Sequence, residues 1–292
     1  MLQKEFIEKL SAQLSANLQN SIVIEQVQQV YGGDINETFV LHTSLGNYFL
    51  KVNSHAQQDM FEKEFNGLQT LQKANAIHIP QPILYDAFDS SIFLIMECIE
   101  KGKPAVNFWQ QFAAGLAGVH GQTQAQFGFK ETNYIGSLLQ PNMLTDTWHE
   151  FFATQRIMPL INQAYNQNKC TKEDVSKAEK LCSRFLELFP EELPALLHGD
   201  LWSGNFMVND KGEPVIYDPA VYYGCREMDI AMTLLFGGFN KSFYNYYNEI
   251  FPLQKGWEQR VALCQLYFLL VHLILFGGHY YYSVMNIIKS FL

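Results

Sequence analysis

The sequence predicts an α+β fold of two lobes. A small, five-stranded antiparallel lobe carrying one helix would occupy residues 1–100, and a larger, mainly helical lobe residues 101–292. Three observations predict it. Short runs rich in β-branched and aromatic residues fill the first part of the chain. Apolar residues at helical spacing dominate the rest. Between them residues 100–104 are polar and hold Gly102 and Pro104, a plausible hinge.

In the first part, residues 22–30, 37–42 and 47–52 read as strands. The turn Thr43-Ser44-Leu45-Gly46 joins the last two as a hairpin. Residues 61–72 carry apolar side chains at 61, 65, 68 and 71, the spacing of a helix. Residues 83–88 and 92–98 are two further strands around a turn at Asp89-Ser90. Beyond the hinge, Phe108, Phe112, Leu116 and Val119 share one helical face, and residues 148–164 read as one helix. Residues 171–189 read as another, with Thr171 as N-cap and Asp174 three residues on. The helical period breaks between 196 and 218 and resumes over 228–291.

Composition narrows the function. With 292 residues, 48% hydrophobic and 17% charged, the chain is globular. It carries a net charge of −9, so it lacks the positive field that draws nucleic acid or anionic membrane, and it tolerates a cationic or amine-bearing substrate. The five cysteines (Cys98, Cys170, Cys182, Cys225 and Cys264) form no C-x-x-C pair, which predicts neither a disulfide framework nor a zinc site. With no signal-peptide pattern over residues 1–18, this points to a reducing, cytoplasmic setting. The most apolar run, residues 266–276, is too short to span a bilayer and reads as a buried helix.

The chemistry concentrates in His198-Gly199-Asp200-Leu201-Trp202-Ser203-Gly204-Asn205 and in Asp218. Pairing residues 206–208 with 215–217 as a hairpin sets Val208 against Val215 and Asn205 against Asp218. Opposed residues have Cβ atoms about 5 Å apart. An amide and a carboxylate so placed suit Mg²⁺, which takes few protein oxygens beside phosphate oxygens. An Asp, an Asn five residues later and an Asp at the next strand end is the arrangement of protein kinases. In that reading Asp200 orients and deprotonates a substrate hydroxyl, while Asn205 and Asp218 hold the metal. Alone, His-Gly-Asp could be a turn with a helix cap, and Asp218-Pro219 an ordinary strand exit. His198 reads as a loop-bracing core histidine.

The first lobe should then supply a lysine and a carboxylate. Lys51 lies inside an apolar strand. At about 100° per residue from Phe61, Glu64 falls at about 300°, between Leu71 and Leu68, while Glu62 falls at about 100° and points away. A carboxylate on a packing face needs a partner, and Lys51 is the candidate. Such a pair holds the α- and β-phosphates of ATP. Gly32-Gly33 falls where a phosphate-covering loop belongs, although the loop through Asn36 is neither G-x-G-x-x-G nor a Walker A motif. The backbone of Met96-Glu97-Cys98-Ile99 would bind adenine; the competing reading is a buried edge.

With these residues in view, the chain resembles the fructosamine kinases (ketosamine-3-kinases), relatives of aminoglycoside and choline kinases within the protein-kinase-like fold. The resemblance runs over nearly the whole chain. It includes Gly32-Gly33-Asp34-Ile35-Asn36, Lys51, Glu64-Phe65-Asn66-Gly67-Leu68, Phe127-Gly128-Phe129 and Asn133-Tyr134-Ile135-Gly136. It continues through the His198–Asn205 run, Asp218-Pro219-Ala220 and Arg226-Glu227-Met228-Asp229. Last come Leu235-Phe236-Gly237-Gly238-Phe239, Gly256-Trp257-Glu258 and Gln265-Leu266-Tyr267. The His198–Asn205 run is the specific part, because Trp202 and Ser203 separate this family from general aminoglycoside kinases.

The resemblance implies ATP- and Mg²⁺-dependent phosphorylation of the 3-hydroxyl of a ketoamine, free or on a glycated protein, as deglycation repair. The implied protein is a monomer or weak dimer with no nucleic-acid or membrane partner. Some relatives form redox-sensitive dimers through a cysteine in the Gly-rich loop; Asp34 stands at that position here. Asp229 is implied to brace the catalytic loop. Trp202 would stack on the sugar or amine, or else pack as a core aromatic. Trp257 is a second candidate for the substrate wall; for it, and for Tyr223, His272 and His279, core packing is the competing and favoured reading. Two alternatives stay open: an aminoglycoside or aminoalcohol kinase, and a non-catalytic ATP-fold module.

Overall fold

The chain opens with α1 (Lys4–Leu18), whose Phe6, Leu10 and Leu14 are buried four residues apart. The mixed polar and apolar order of this segment hides that stripe, and the helix is an addition to the expected set. The computed structural model describes residues 2–30 and 36–292. After α1 come β1 (Ile24–Val30), β2 (Glu37–Thr43), β3 (Gly46–Asn53), α2 (Met60–Gln72), β4 (Pro82–Phe88) and β5 (Ser91–Glu97). The five strands form one antiparallel sheet in the order β1-β2-β3-β5-β4.

The strand period of two gives this sheet two different faces. Phe39, Leu41, Leu50, Val52, Phe93 and Ile95 pack with the buried stripe of α1. The intervening residues Ile92, Leu94 and Met96 turn the other way and join Phe61, Leu68 and Leu71 of α2 in the main core. Lys51, paired with Leu94, belongs to that second face. The pleat sets it on that face, where it is buried at 4% exposure.

The remainder is mainly helical. It comprises α3 (Phe108–His120), β6 (Asn133–Ile135), β7 (Leu138–Gln140), α4 (Trp148–Phe151), a π-helical turn (Phe152–Ile157), α5 (Met158–Asn166), α6 (Lys172–Cys182) and α7 (Phe185–Leu188). Then come β8 (Ala195–Leu197), β9 (Phe206–Val208), β10 (Pro214–Ile216), β11 (Tyr222–Gly224), α8 (Glu227–Leu235), α9 (Lys241–Ile250), α10 (Trp257–Phe276) and α11 (His279–Ser290). The short strands pair as three antiparallel ribbons: β6 with β7, β8 with β11, and β9 with β10. The expected hinge is stitched to this part, since Gly102 N–H donates to the Val208 carbonyl (3.0 Å).

Several element boundaries differ from expectation. The single helix over 148–164 is interrupted by the π turn, which carries Gln155 and Arg156 into the interior at 6% and 0% exposure. Residues 171–189 open with the expected cap, a full capping box between Thr171 and Asp174, but the helix stops at Cys182 and a short one follows. The apolar run 266–276 is the C-terminal half of the 20-residue α10. By length and composition alone α10 could cross a membrane, but 61% of its most apolar 18 residues are buried, and it packs on α5, α8 and α11.

Arg156 sits without an acidic partner in the described structure. Its guanidinium lies 4.0 Å from the Tyr222 ring centroid, 4.5 Å from Phe151 and 5.3 Å from Tyr267. It donates to the Pro141 carbonyl (2.6 Å) and Asn142 Oδ1 (2.7 Å). Arg156→Ala strips both acceptors at about 1–3 kcal/mol each and opens a cavity. Urea unfolding of that variant should lose about 3–5 kcal/mol in total; a loss below about 1 kcal/mol would contradict the structural role.

Candidate active site

A cavity of about 470 Å³ lies between the sheet and the helical part. One end is charged. Lys51 comes from β3 and Glu64 from the buried side of α2, and Lys51 Nζ meets Glu64 Oε1 at 2.6 Å. The same ammonium also pairs with Asp218 Oδ1. Burial disfavours the Lys51 charge, but the Asp218 and Glu64 carboxylates outweigh it and hold its pKa above the ordinary value. Glu64 is raised, first by burial and then by Asp218, because two carboxylates share one cation.

Asp200, Asn205 and Asp218 line the same cavity. The loop before Asn205 is held from below. Asp229, fully buried on α8, accepts from His198 N–H (2.7 Å) and Gly199 N–H (2.9 Å), and His120 Nε2 lies 3.2 Å away. Burial pushes Asp229 up, but the His120 hydrogen bond and these neighbours leave its carboxyl below the usual range. His198 braces the loop. Its Nδ1 accepts from Asp200 N–H (3.3 Å), so Nε2–H donates to the Tyr217 carbonyl (2.9 Å), and burial keeps the ring neutral by lowering its pKa. Gly199 stands at φ 83°, where an added Cβ would lie 2.0 Å from the Ala220 carbonyl oxygen.

The β9–β10 register is one residue tighter than expected. Val208 pairs with Pro214, and Tyr217 N–H bonds the Asn205 carbonyl (3.0 Å), so Tyr217 rather than Asp218 lies opposite Asn205. The cause is Asn209, whose Oδ1 accepts from Lys211 N–H (3.0 Å) and Glu213 N–H (2.8 Å) and closes the turn early. A left-handed backbone at Asp218 (φ 57°) compensates. It keeps Asp218 at the cavity, its carbonyl 3.5 Å from Asn205 Nδ2.

Asn205 Nδ2 also donates to the Asp200 carbonyl (2.8 Å) and Asp200 Oδ2 (3.1 Å). The amide nitrogen is thus committed inward, and Oδ1 is the atom available to a metal ion. One amide oxygen and the Asp218 carboxylate are hard donors that fit Mg²⁺ completed by phosphate oxygens. Among the described residues no group of three or more His, Cys, Asp or Glu forms a metal cluster. Burial, reinforced by Asp218 and Asp229, pushes the Asp200 carboxyl up to about 7 against the Asn205 hydrogen bond.

The other end of the cavity is aromatic. Trp202 lines it and meets Phe236 edge-on. His272 also lines it, within 4.9–5.4 Å of the rings of Phe236, Phe276 and Tyr280. The favoured packing reading of His272 is therefore corrected: its Nδ1–H donates back to the Phe268 carbonyl (2.8 Å), while the ring faces the cavity. The missed signal is a spacing of four, His272–Phe276–Tyr280, carried across the Gly277-Gly278 break.

Three expected site residues do not line the cavity. Trp257 begins α10, about 22 Å along the helix axis from His272. Glu97 is bound at the sheet end, its N–H donating to the Gln81 carbonyl (2.8 Å) and its carboxylate accepting from Gln81 N–H (3.1 Å) and facing His78 Nε2 (3.1 Å). Ile99 follows it outside the walls. Tyr223 lines a separate pocket beside Lys73 and Lys130, and His279 is absent from the lining. Asn36 is at the cavity and accepts from Asn53 Nδ2 (2.8 Å). Gly32, Gly33 and Asp34 lie outside the described residues.

The family model for fructosamine kinase matches residues 6–292. The chain belongs to the fructosamine kinase family. An Enterococcus faecium protein named "Probable ketoamine kinase" is 40% identical over 268 residues, 91% of this chain and 95% of its own. The chloroplastic protein-ribulosamine 3-kinase of Arabidopsis thaliana is 36% identical over 275 residues, 92% of this chain and 83% of its own. The crystal structure of a "Putative fructosamine-3-kinase" from Haemophilus somnus matches with a TM-score of 0.90 at 27% identity, covering 99% and 98% of the two chains. Aminoglycoside phosphotransferase APH(4)-Ia shares the protein-kinase-like fold at TM-score 0.64 and 16% identity, over 97% of each chain. This family member is thus a kinase by lineage.

Two outcomes test the geometry. Lys51→Met leaves the buried Glu64 carboxylate without its cation, beside the partly exposed Asp218. The variant should lose about 3 kcal/mol of stability in denaturant titration, and wild-type unfolding would refute the buried pair. Asp200 gives a pH signature. Its carboxyl is raised from the ordinary range to about 7, so the stability tied to its neutral form is present at acid pH and lost as pH rises through about 7. Without divalent cations, Asp200→Asn should melt above wild type at pH 8. That advantage should shrink towards zero near pH 4; one independent of pH would show that Asp200 is not the titrating group.

Proposed function

We propose that this kinase transfers the γ-phosphoryl group of ATP to the 3-hydroxyl of a fructosamine or ribulosamine, free or on a glycated protein. The observation carrying this reading is one cavity with Lys51, Glu64, Asp200, Asn205 and Asp218 at one end and the aromatic wall of Trp202, Phe236, His272 and Tyr280 at the other. Residues 1–100 form the nucleotide lobe in this reading and residues 101–292 the catalytic and acceptor lobe. The Arabidopsis relative named a protein-ribulosamine 3-kinase supports the acceptor class and hydroxyl position. ADP in the complex of APH(4)-Ia supports the nucleotide.

Each residue has a part. Lys51, oriented by Glu64, contacts the ATP phosphates. Adenine extends from that end of the cavity towards the backbone of Glu97 and Ile99. Asn205 Oδ1 and Asp218 would hold Mg²⁺, which supplies charge neutralisation on the β- and γ-phosphates when bound. Asp200 accepts the acceptor hydroxyl's proton as its oxygen bonds to phosphorus and the bond to the ADP oxygen breaks. Trp202 covers the sugar or its amine, whose positive charge suits an aromatic face. Five free cysteines support a reducing, cytoplasmic setting.

Turnover with Mg·ATP against ribulose-lysine, fructose-lysine and an aminoglycoside tests the assignment, with the product read by phosphorus NMR. A 3-phosphorylated ketoamine is expected. Efficient phosphorylation of the aminoglycoside with no ketoamine product would overturn the substrate and keep the kinase. Asp200→Asn should lower kcat by about 10²–10⁴-fold with Mg·ATP affinity little changed; an unchanged kcat would remove Asp200 from the chemistry.

A further inference from the structure

The β6–β7 hairpin and its flanks make two sets of hydrogen bonds in opposite directions. One set grips α2. Glu131 Oε2 accepts from Lys63 Nζ (2.7 Å), Glu131 Oε1 accepts from Asn66 Nδ2 (3.0 Å), and Tyr134 OH donates to Asp59 Oδ1 (2.6 Å). The other set grips the backbone just after Asp218. Asn133 Nδ2 donates to the Val221 carbonyl (2.8 Å), and Gln140 Nε2 donates to the Ala220 carbonyl (3.1 Å).

The hairpin is itself held rigidly. Asn133 Oδ1 accepts from Gln140 Nε2 and Asn142 Nδ2, both at 2.8 Å. Tyr267 OH on α10 donates to Gln140 Oε1 (2.6 Å), and Arg156 fixes Asn142. Asn133, Gln140 and Asn142 are at most 4% exposed, so a lost partner here is costly.

The two gripped elements carry the two carboxylates that converge on Lys51: Glu64 on α2, and Asp218 three residues before Val221. Asp218 holds a left-handed backbone that a non-glycine residue adopts at a cost, and it needs neighbours to impose it. Protein kinases make and break the equivalent lysine–glutamate pair by moving the helix that carries the glutamate. Here that helix is bolted to the helical part of the molecule. We propose that the β6–β7 hairpin is a strut that sets the spacing of Glu64 and Asp218 around Lys51, with Glu131 and Gln140 as positioning residues for the nucleotide site. The strut keeps that site assembled without an activation step. The inference rests on the kinase reading above.

The test combines calorimetric binding of Mg·ADP with steady-state kinetics on Gln140→Leu, Glu131→Ala and Glu131→Gln. Gln140→Leu and Glu131→Ala should weaken Mg·ADP about 10–100-fold, the usual reach of residues that orient ligating groups. Glu131→Gln keeps one acceptor and should fall between Glu131→Ala and wild type. KM for the ketoamine should stay within about twofold of wild type, because the aromatic wall is untouched. Glu131 is at the margin of the core, so its variants stay informative if Gln140→Leu does not fold. Folded variants that bind Mg·ADP like wild type overturn the strut and leave the kinase reading intact. An equal rise in both KM values overturns it too, since that marks a general loss of structure. A wild-type chain that binds no Mg·ADP overturns the kinase reading and the inference with it.

Discussion

The buried ammonium of Lys51 is the constraint around which the molecule is arranged. A charge at 4% exposure is tolerated only where opposite charge and hydrogen bonds surround it. Glu64 and Asp218 supply both, one from a helix packed on the sheet and the other from the far side of the cleft. Pairing thus ties three separate pieces of chain to one point. It also leaves two carboxylates for one cation, an excess of negative charge that suits a divalent cation.

A second buried charge organises the other half. Asp229 has 0% exposure, yet its two oxygens meet two backbone N–H groups and a histidine ring. Those amides belong to the loop that presents Asp200. Satisfying them fixes the loop's path, and the glycine at 199 lets that path run against the Ala220 carbonyl. Asp200 can then sit where burial holds its carboxyl near neutrality, the condition under which a general base operates best. The proposed chemistry thus draws on the electrostatics of the fold as well as on the identity of the residues.

The cavity divides charge from apolar surface. Its charged end is built from strand, α2 and loop, and its aromatic end from the C-termini of α8 and α10 and the start of α11. The Gly277-Gly278 break stops α10 just after Phe276, so the next helix returns Tyr280 to the same rim as His272. An acceptor with a sugar hydroxyl at one end and an amine substituent at the other matches this division.

Much of this was legible in local pattern. The helix period turned Glu64 to the apolar face, and a carboxylate there called for a cation, for which Lys51 inside an apolar strand was the candidate. The spacing of Asp200, Asn205 and Asp218 and the loop-bracing part of His198 were readable in the same way. What local pattern could not decide depends on distant partners. The β9–β10 register turned on one asparagine side chain closing a loop, and strands of three residues are too short for their alternation to fix the register from sequence. The π turn at Phe152–Ile157 exists where Arg156 finds Tyr222 and Tyr267, residues far along the chain. Trp257 and His272 share one helix, and only the packing of α10 against its neighbours decided that His272 reaches the cavity and Trp257 does not. Periodicity sets which face a side chain occupies; which neighbour covers that face is set by the packing of the whole chain.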